Sequence, residues 1–323
     1  MGQVFDPTIN LKVEARIDYT REYDDGSIND GATGFKGRYL NVALNGNINK
    51  NFSYSWRQRL NKYSSDATFF DATDWVYLSY HPNQNWELSA GKQIVWIGGY
   101  EYDKAPIDVY RASEFWNNVA CYQMGGSVAY NITPGKDQLL FQVCESPFRK
   151  MDNSNMYAYN LMWNGHHGLF SSIYSVNMLE YQKDHYISYI SLGNMFRFGK
   201  FTVTVDLMNR ATSHQAYFFK DFTVIGEADY RINNNFNIFL KGTYDKNSTD
   251  NNGDYLVMSG TDMKMLGGGV EYFPLKNSRH DVRLHAYYFY SWGDNGNPDG
   301  TLKNKSSYLD LGLTWRVNLL TAK

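Results

Sequence analysis

Nowhere in the 323-residue sequence is there an apolar run of the ~18–20 residues that a membrane-crossing helix needs, so a helical membrane protein is excluded. Proline is scarce, at seven residues, as expected where most backbone amides donate to a ladder. Cysteine is limited to Cys121 and Cys144. The formal net charge is only −2, so no strong basic field marks a nucleic-acid partner. Met1 is followed by Gly2 and polar residues instead of a basic and apolar leader, as expected of a mature exported form behind a start methionine.

What is abundant is aromatic. The 27 Tyr, 19 Phe and 8 Trp exceed the needs of an ordinary core, and they fall on short segments in which apolar and polar residues alternate. Phe52, Tyr54 and Trp56 alternate with Ser53, Ser55, Arg57 and Arg59. Leu309, Leu311, Leu313, Trp315 and Val317 alternate with Asp310, Gly312, Thr314 and Arg316. Successive side chains of a strand point to opposite faces, so each segment reads as a strand between an apolar and a wet environment. Such segments lie near residues 9–20, 36–49, 51–62, 72–82, 85–96, 120–132, 137–145, 155–164, 167–178, 184–196, 200–210, 218–232, 235–247, 263–274, 280–293 and 306–319. Short connections follow the even-numbered segments and longer ones follow most odd-numbered segments, the alternation expected of an outer-membrane barrel with its long loops outside the cell. The prediction is an all-β, transmembrane, antiparallel up-and-down β-barrel of about 16 strands over residues 1–323, a single domain. A barrel of this size encloses water, so Lys12, Glu14, Arg16 and Asp18 are expected to face the lumen. Trp75, Tyr77, Tyr80, Trp86, Trp96, Tyr288, Tyr290 and Trp292, near strand ends, are expected in two aromatic girdles.

The longest connection, Ile97 to Val119, is the third on the long-loop rim. Gly98–Gly99 permits a sharp departure from the wall. The apolar and aromatic residues of the loop give it a reason to pack inward as the third extracellular loop, folded into the lumen. There Glu101, Asp103, Lys104, Asp108, Arg111 and Glu114 would narrow the pore and set its field.

The stretches AGKQIVWIGGYEYDKAPIDVYRASEFWNN and GRYLNVALNGNINKNFSYSWRQRL resemble the phosphate-selective porin O/P family, in a form typical of Bacteroidetes. That resemblance implies a homotrimeric porin of the bacterial outer membrane with an inward third loop, in contact with lipid and lipopolysaccharide. By the same resemblance, Arg16, Arg57 and Arg59 are the positions most like the arginine track of anion-selecting members. The sequence departs from a phosphate filter in one respect. Its lumen-facing bases are nearly matched by acids, and the loop sets four acids against Lys104 and Arg111. A mixed lumen suits a diffusion pore for small polar or charged solutes, phosphate among them.

Three further readings concern chemistry. Cys121 and Cys144 share the lumenal parity of adjacent strands and are expected close enough to form a disulfide in an oxidising compartment. The acidic stretches Asp245–Asp254 and Asp294–Asp299 offer oxygen ligands in no calcium-loop spacing and read as solvated turns. No Cys/His spacing fits zinc, and neither a metal nor a cofactor is implied. An outer-membrane lipid hydrolase would need Ser and His within reach of each other. Among the seven histidines only His285 lies away from the ends of a predicted strand, and no enzyme is expected. A plugged receptor or adhesin barrel is the other alternative, which conductance distinguishes from a porin.

Overall fold

A computed structural model describes residues 7–62, 68–149, 155–250, 253–275 and 281–322. Among these residues sixteen long strands follow one another: β1 (Ile9–Asp24), β2 (Gly34–Asn47), β3 (Phe52–Arg59), β4 (Thr73–Tyr80), β5 (Trp86–Ile94), β6 (Tyr122–Thr133), β7 (Asp137–Glu145) and β8 (Tyr157–His167) in the first half. The second half supplies β9 (Phe170–Gln182), β10 (His185–Phe198), β11 (Phe201–Thr212), β12 (Asp221–Arg231), β13 (Phe236–Asn247), β14 (Asp262–Tyr272), β15 (Val282–Asp294) and β16 (Ser306–Ala322). Each is antiparallel to the next, and β1 pairs with β16 from Ile9–Ala322 to Asp24–Ser306, which closes the sheet into a barrel without a free edge. A two-residue ladder at Ser27–Ile28 extends the end of β1.

The alternation of the sequence maps onto the two faces, with the usual polarity reversed. Arg16 and Asp18 are 2% and 0% exposed, whereas Ile17 between them is 50% exposed. Leu240, Leu266, Leu311 and Val317 are likewise exposed, and Lys241, Asp310 and Thr314 are buried. The outer wall is therefore apolar and the bore polar. Register is fixed by this contrast. A slip by one residue would turn each inward Arg or Lys into the hydrocarbon, at ~2–4 kcal/mol apiece near the midplane.

Short connections lie on one rim, among them Ile48–Asn51, Gly168–Leu169 and Gly199–Lys200. Most long ones lie on the other, with two exceptions: β9 and β10 are joined there by the two-residue turn Lys183–Asp184, and the connection over residues 273–281 belongs to the short-turn rim. Cross-strand aromatic pairs mark the short-turn rim. Phe52–Tyr80, Trp86–Tyr130 and Phe236–Tyr272 have ring centroids 4.9, 4.6 and 4.8 Å apart. Such pairs contribute about 0.5–1.5 kcal/mol each beyond area burial. Tyr80, Trp86, Tyr288, Tyr290 and Trp292 stand on the outer face as expected of girdle residues.

Trp75, Tyr77 and Trp96 do not belong to the girdles. The Trp75 indole N–H donates to Ser55 Oγ at 2.8 Å, on the inner face. Between β3 and β4 the register shifts, Arg57 pairing with Trp75 and Gln58 with Thr73, so Asp74 is the extra residue of a bulge. The bulge precedes Trp75, and from there alternation holds: Val76, Leu78 and Tyr80 face outward, which puts Trp75 and Tyr77 on the inner face. Trp96 lies beyond the end of β5, and its backbone N–H donates to the Gln142 side chain at 2.9 Å.

Candidate functional site

After β5 the chain leaves the sheet at Gly98–Gly99. Gly99 has a φ of 111°, a conformation that favours glycine. A Cβ on Gly98 would lie 2.8 Å from the Ile173 carbonyl oxygen. The wall makes room in turn: a Cβ on Gly193 would lie 2.8 Å from Gly99 Cα. Two short helices follow, α1 (Tyr100–Asp103) and α2 (Glu114–Asn118), with a 3-10 turn at Pro106–Asp108 between them. Ser113 caps α2, its Oγ accepting from Trp116 N–H at 3.3 Å.

Side chains of the inner wall hold this segment along an unbroken arc from β9 through β16 to β1. Ser175 Oγ accepts from Gly98 N–H, and Ser191 Oγ donates to the Gly98 carbonyl, both at 2.8 Å. Asp206 accepts from the Glu101 N–H at 2.8 Å, at the start of α1. Asp245 does the same at α2, accepting from Glu114 N–H at 2.9 Å and Phe115 N–H at 3.3 Å. Both carboxylates satisfy amides that a helix start leaves without an internal partner. Lys104 is paired with Glu227, and Lys241 with Glu101 at 2.7 Å. Asp108 sits between Arg283 and Arg316, at 2.9 and 2.7 Å. Arg16 donates to the Val109 carbonyl at 2.8 Å, to Tyr287 Oη at 2.9 Å and to Asp18. An apolar cluster backs these bonds, in which Ile97, Tyr102, Phe115 and Val119 pack with Phe148, Leu179, Tyr189 and Val257.

These surroundings tune the charges of the segment. Burial alone would raise the Asp108 carboxyl, but Arg283 and Arg316 outweigh it and hold it below the usual carboxylate range. Burial opposes the Lys104 ammonium, yet Glu227 more than offsets this and raises it. Asp103 is raised by burial. Its side chain meets water, but within a confined space that weakens solvation of the charge.

Three cavities lie between this segment and the strands of the opposite wall, and a fourth lies beyond it toward the short-turn rim. The one on the long-loop side measures about 520 Å³ and is bordered by Arg59, Lys62, Lys92 and Arg149 together with Asp71 and Glu145. It shares Trp116 and Tyr122 with a cavity of about 270 Å³ around Arg57, Trp75, Tyr77, Asp103 and Lys104. That cavity shares Arg57 and Trp75 with one of about 370 Å³ containing Lys12, Glu14, Asp108 and Arg316. It also shares Tyr77 with a cavity of about 530 Å³ on the short-turn side. Arg57 is buried, paired with Asp74 at 2.9 Å, with its guanidinium 3.8 Å over the Trp75 ring. Arg59 reaches the same Asp74 at 3.3 Å.

The nine charged residues singled out from the sequence therefore divide into two groups. Arg57, Arg59, Asp103, Lys104 and Asp108 border the cavities. Arg16, Glu101, Arg111 and Glu114 instead hold the segment in place. Arg111 stacks 3.4 Å over Tyr308, and Glu114 accepts from the Leu302 N–H at 3.1 Å. The wall acceptors Asp206 and Asp245 and the cradle residue Gly193 were not singled out as partners of the loop, because nothing local marks them.

Two expectations are corrected here. Cys121 and Cys144 are not opposite each other, and both thiols are free. Cys144 pairs with Gly125, and Cys121 precedes the first residue of β6. Burial pushes the Cys121 thiol up to about 11, so it is a weak nucleophile. Asp245–Asp254 is not a solvated turn at its ends. Asp245 caps α2, and Asp254 is buried against Arg210 at 2.6 Å, while residues 251 and 252 lie outside the described residues. His285 does face the bore, 3.0 Å from Asp18.

Comparison with solved structures places this architecture among porins. An anion-selective porin from Comamonas acidovorans matches with a TM-score of 0.69 at 10% identity, over 97% of this chain and 100% of that one. The outer-membrane channel DcaP of Acinetobacter baumannii matches at 0.66 and 13% identity, over 97% of each chain. The in-vitro folded OmpT of Vibrio cholerae, in its trimer form, matches at 0.63 and 12% identity, over 96% of this chain and 99% of that one. At these identities the likeness establishes the fold alone. No curated protein matches the sequence. Residues 9–169 match the model of the family described as phosphate-selective porin O and P. With a closed sixteen-stranded wall, apolar outside and charged within, and that family's pattern across its first half, the chain is a porin of the bacterial outer membrane similar to that family.

Proposed function

We propose that Ile97–Val119 folds into the bore of a single barrel domain and sets its width, and that the pore passes small polar solutes by diffusion with a weak preference for anions. The observation that carries the loop placement is its set of hydrogen bonds and ion pairs to inward side chains of β9 through β16 and β1. A loop lying outside the barrel could not reach residues spread over so wide an arc.

The anion preference is supported by the cavity on the long-loop side, where, among the described residues, Arg59, Lys62, Lys92 and Arg149 stand with Asp71 and Glu145. Such an excess raises the local concentration of anions at the mouth. Further in, Lys12, Arg57, Lys104 and Arg316 are nearly balanced by Glu14, Asp103 and Asp108, which suits a general anion better than a phosphate filter. The assembly is a homotrimer whose apolar outer wall meets lipid and lipopolysaccharide, a reading that draws on the trimer form of the Vibrio neighbour. It acts as a channel without catalysis.

The test is the reversal potential of the purified protein in a planar bilayer under a KCl gradient. An anion-favouring potential is expected. A cation-favouring potential would overturn the charge reading, and an absence of conductance would overturn the open pore in favour of a plugged receptor.

A further inference from the structure

We infer that the cavity of about 270 Å³ beside the loop is a saccharide-binding subsite that takes one neutral pyranose ring. The inference rests on the open-pore reading above and gives it a substrate class. Trp75 and Tyr77 come from β4, Tyr122 from the start of β6 and Trp116 from α2, so three separate elements bring four aromatic rings around one space. Each of the four is only partly buried, unlike Tyr102 of α1, which also borders the space, and unlike Phe115. Leaving ring faces open to water costs free energy in proportion to area, and passage of simple ions makes no use of them.

The rings are held in place. The Trp75 indole N–H is tied to Ser55 at 2.8 Å, and the Arg57 guanidinium lies 3.8 Å from its ring. Arg57 also donates to Tyr122 Oη at 2.6 Å. Rings fixed before the ligand arrives lose little freedom on binding. At the polar edge, Arg57 offers donors and Asp103 offers acceptors.

A pyranose matches this surface because it has a C–H face to lay on an aromatic ring and a rim of hydroxyls that both donate and accept. Phosphate lacks the apolar face, and an open-chain polyol lacks a flat one. A neutral ring is indicated because Arg57 already has Asp74 and Lys104 has Glu227. The volume falls just under the ~300 Å³ at which pockets for drug-sized ligands begin, so one ring fits and a chain does not. Through Trp116 and Tyr122 on one side and Tyr77 on the other, the subsite lies on the route between the two rims.

The test measures ion current through the whole protein in a planar bilayer while glucose or mannitol is added at equal osmolality. Glucose is expected to reduce the current saturably, and mannitol only in proportion to its concentration. Trp75→Ala and Tyr77→Ala should each raise the half-blocking glucose concentration about fivefold, and Trp75→Phe should preserve the block. Because Trp75→Ala also removes the ring beside Arg57, Tyr77→Ala serves as the independent variant should the first fail to fold. Equal effects of glucose and mannitol, or conducting alanine variants with unaltered block, would overturn the subsite while leaving the pore intact. Glucose 6-phosphate blocking far more strongly than glucose would overturn the neutral-ring assignment. Absence of current in the unaltered protein would overturn the pore and the subsite together.

Discussion

Arg57 and Arg59 converge on one carboxylate, Asp74, so the pair leaves an uncompensated positive charge beside the cavity on the long-loop side. Replacing both with Glu should shift the reversal potential toward cations, and an unchanged potential would remove them from the conduction path. Asp103 carries a separate prediction. Burial raises its carboxyl, so as the pH falls it takes up a proton before an ordinary aspartate would. One negative charge then leaves the bore, and anion preference should grow; Asp103→Asn should flatten that pH dependence. Asp108 behaves in the opposite way. Its native carboxyl titrates below the ordinary aspartate value, so its contribution to stability is complete above that value and is lost only as the pH falls through the lower native one. The difference in melting temperature between the native protein and Asp108→Asn should therefore stay constant at neutral pH and shrink only in strong acid.

At the scale of the element, the loop is an insertion whose helices borrow their N-terminal acceptors from the wall. Capping losses cost ~0.5–2 kcal/mol each, so Asp206→Ala combined with Asp245→Ala should loosen the segment without opening the barrel. Single-channel recordings are expected to show larger, noisier openings; quiet openings of native size would mean that the apolar cluster alone secures the loop. The existence, length and charge of this loop are legible in the sequence, as is the departure at Gly98–Gly99. Its anchors are not, because Asp206 lies 105 residues from Glu101 and Asp245 lies 131 from Glu114. Only the closed wall brings them together. Trp75 and Tyr77 are a different case: position near a strand end suggests the girdles, whereas alternation with the outward Val76, Leu78 and Tyr80 puts both on the inner face. The limit on distant partners applies again to Cys121, because the register sets Gly125 across from Cys144.

For the molecule as a whole, the sixteen strands, their order and their inward and outward faces follow from a period-2 pattern that repeats along the entire chain, and this is the most legible level of all. Assembly is not written in that pattern, because every outward strand is apolar. The native mass of the detergent-solubilised protein is expected to correspond to three 37.3 kDa chains, and a single-chain mass would end the trimer reading. One asymmetry reaches further. The cavities are bordered almost wholly by residues before 150, whereas apart from Arg16 the wall residues that grip the loop come after 170. One half of the polypeptide thus forms the route and the other half forms the vice. Solute preference can be rewritten by substitutions confined to β1–β6 and the loop tip. Exchanging the second half for that of another porin should instead alter how steadily the gap is held, and leave what it admits unchanged.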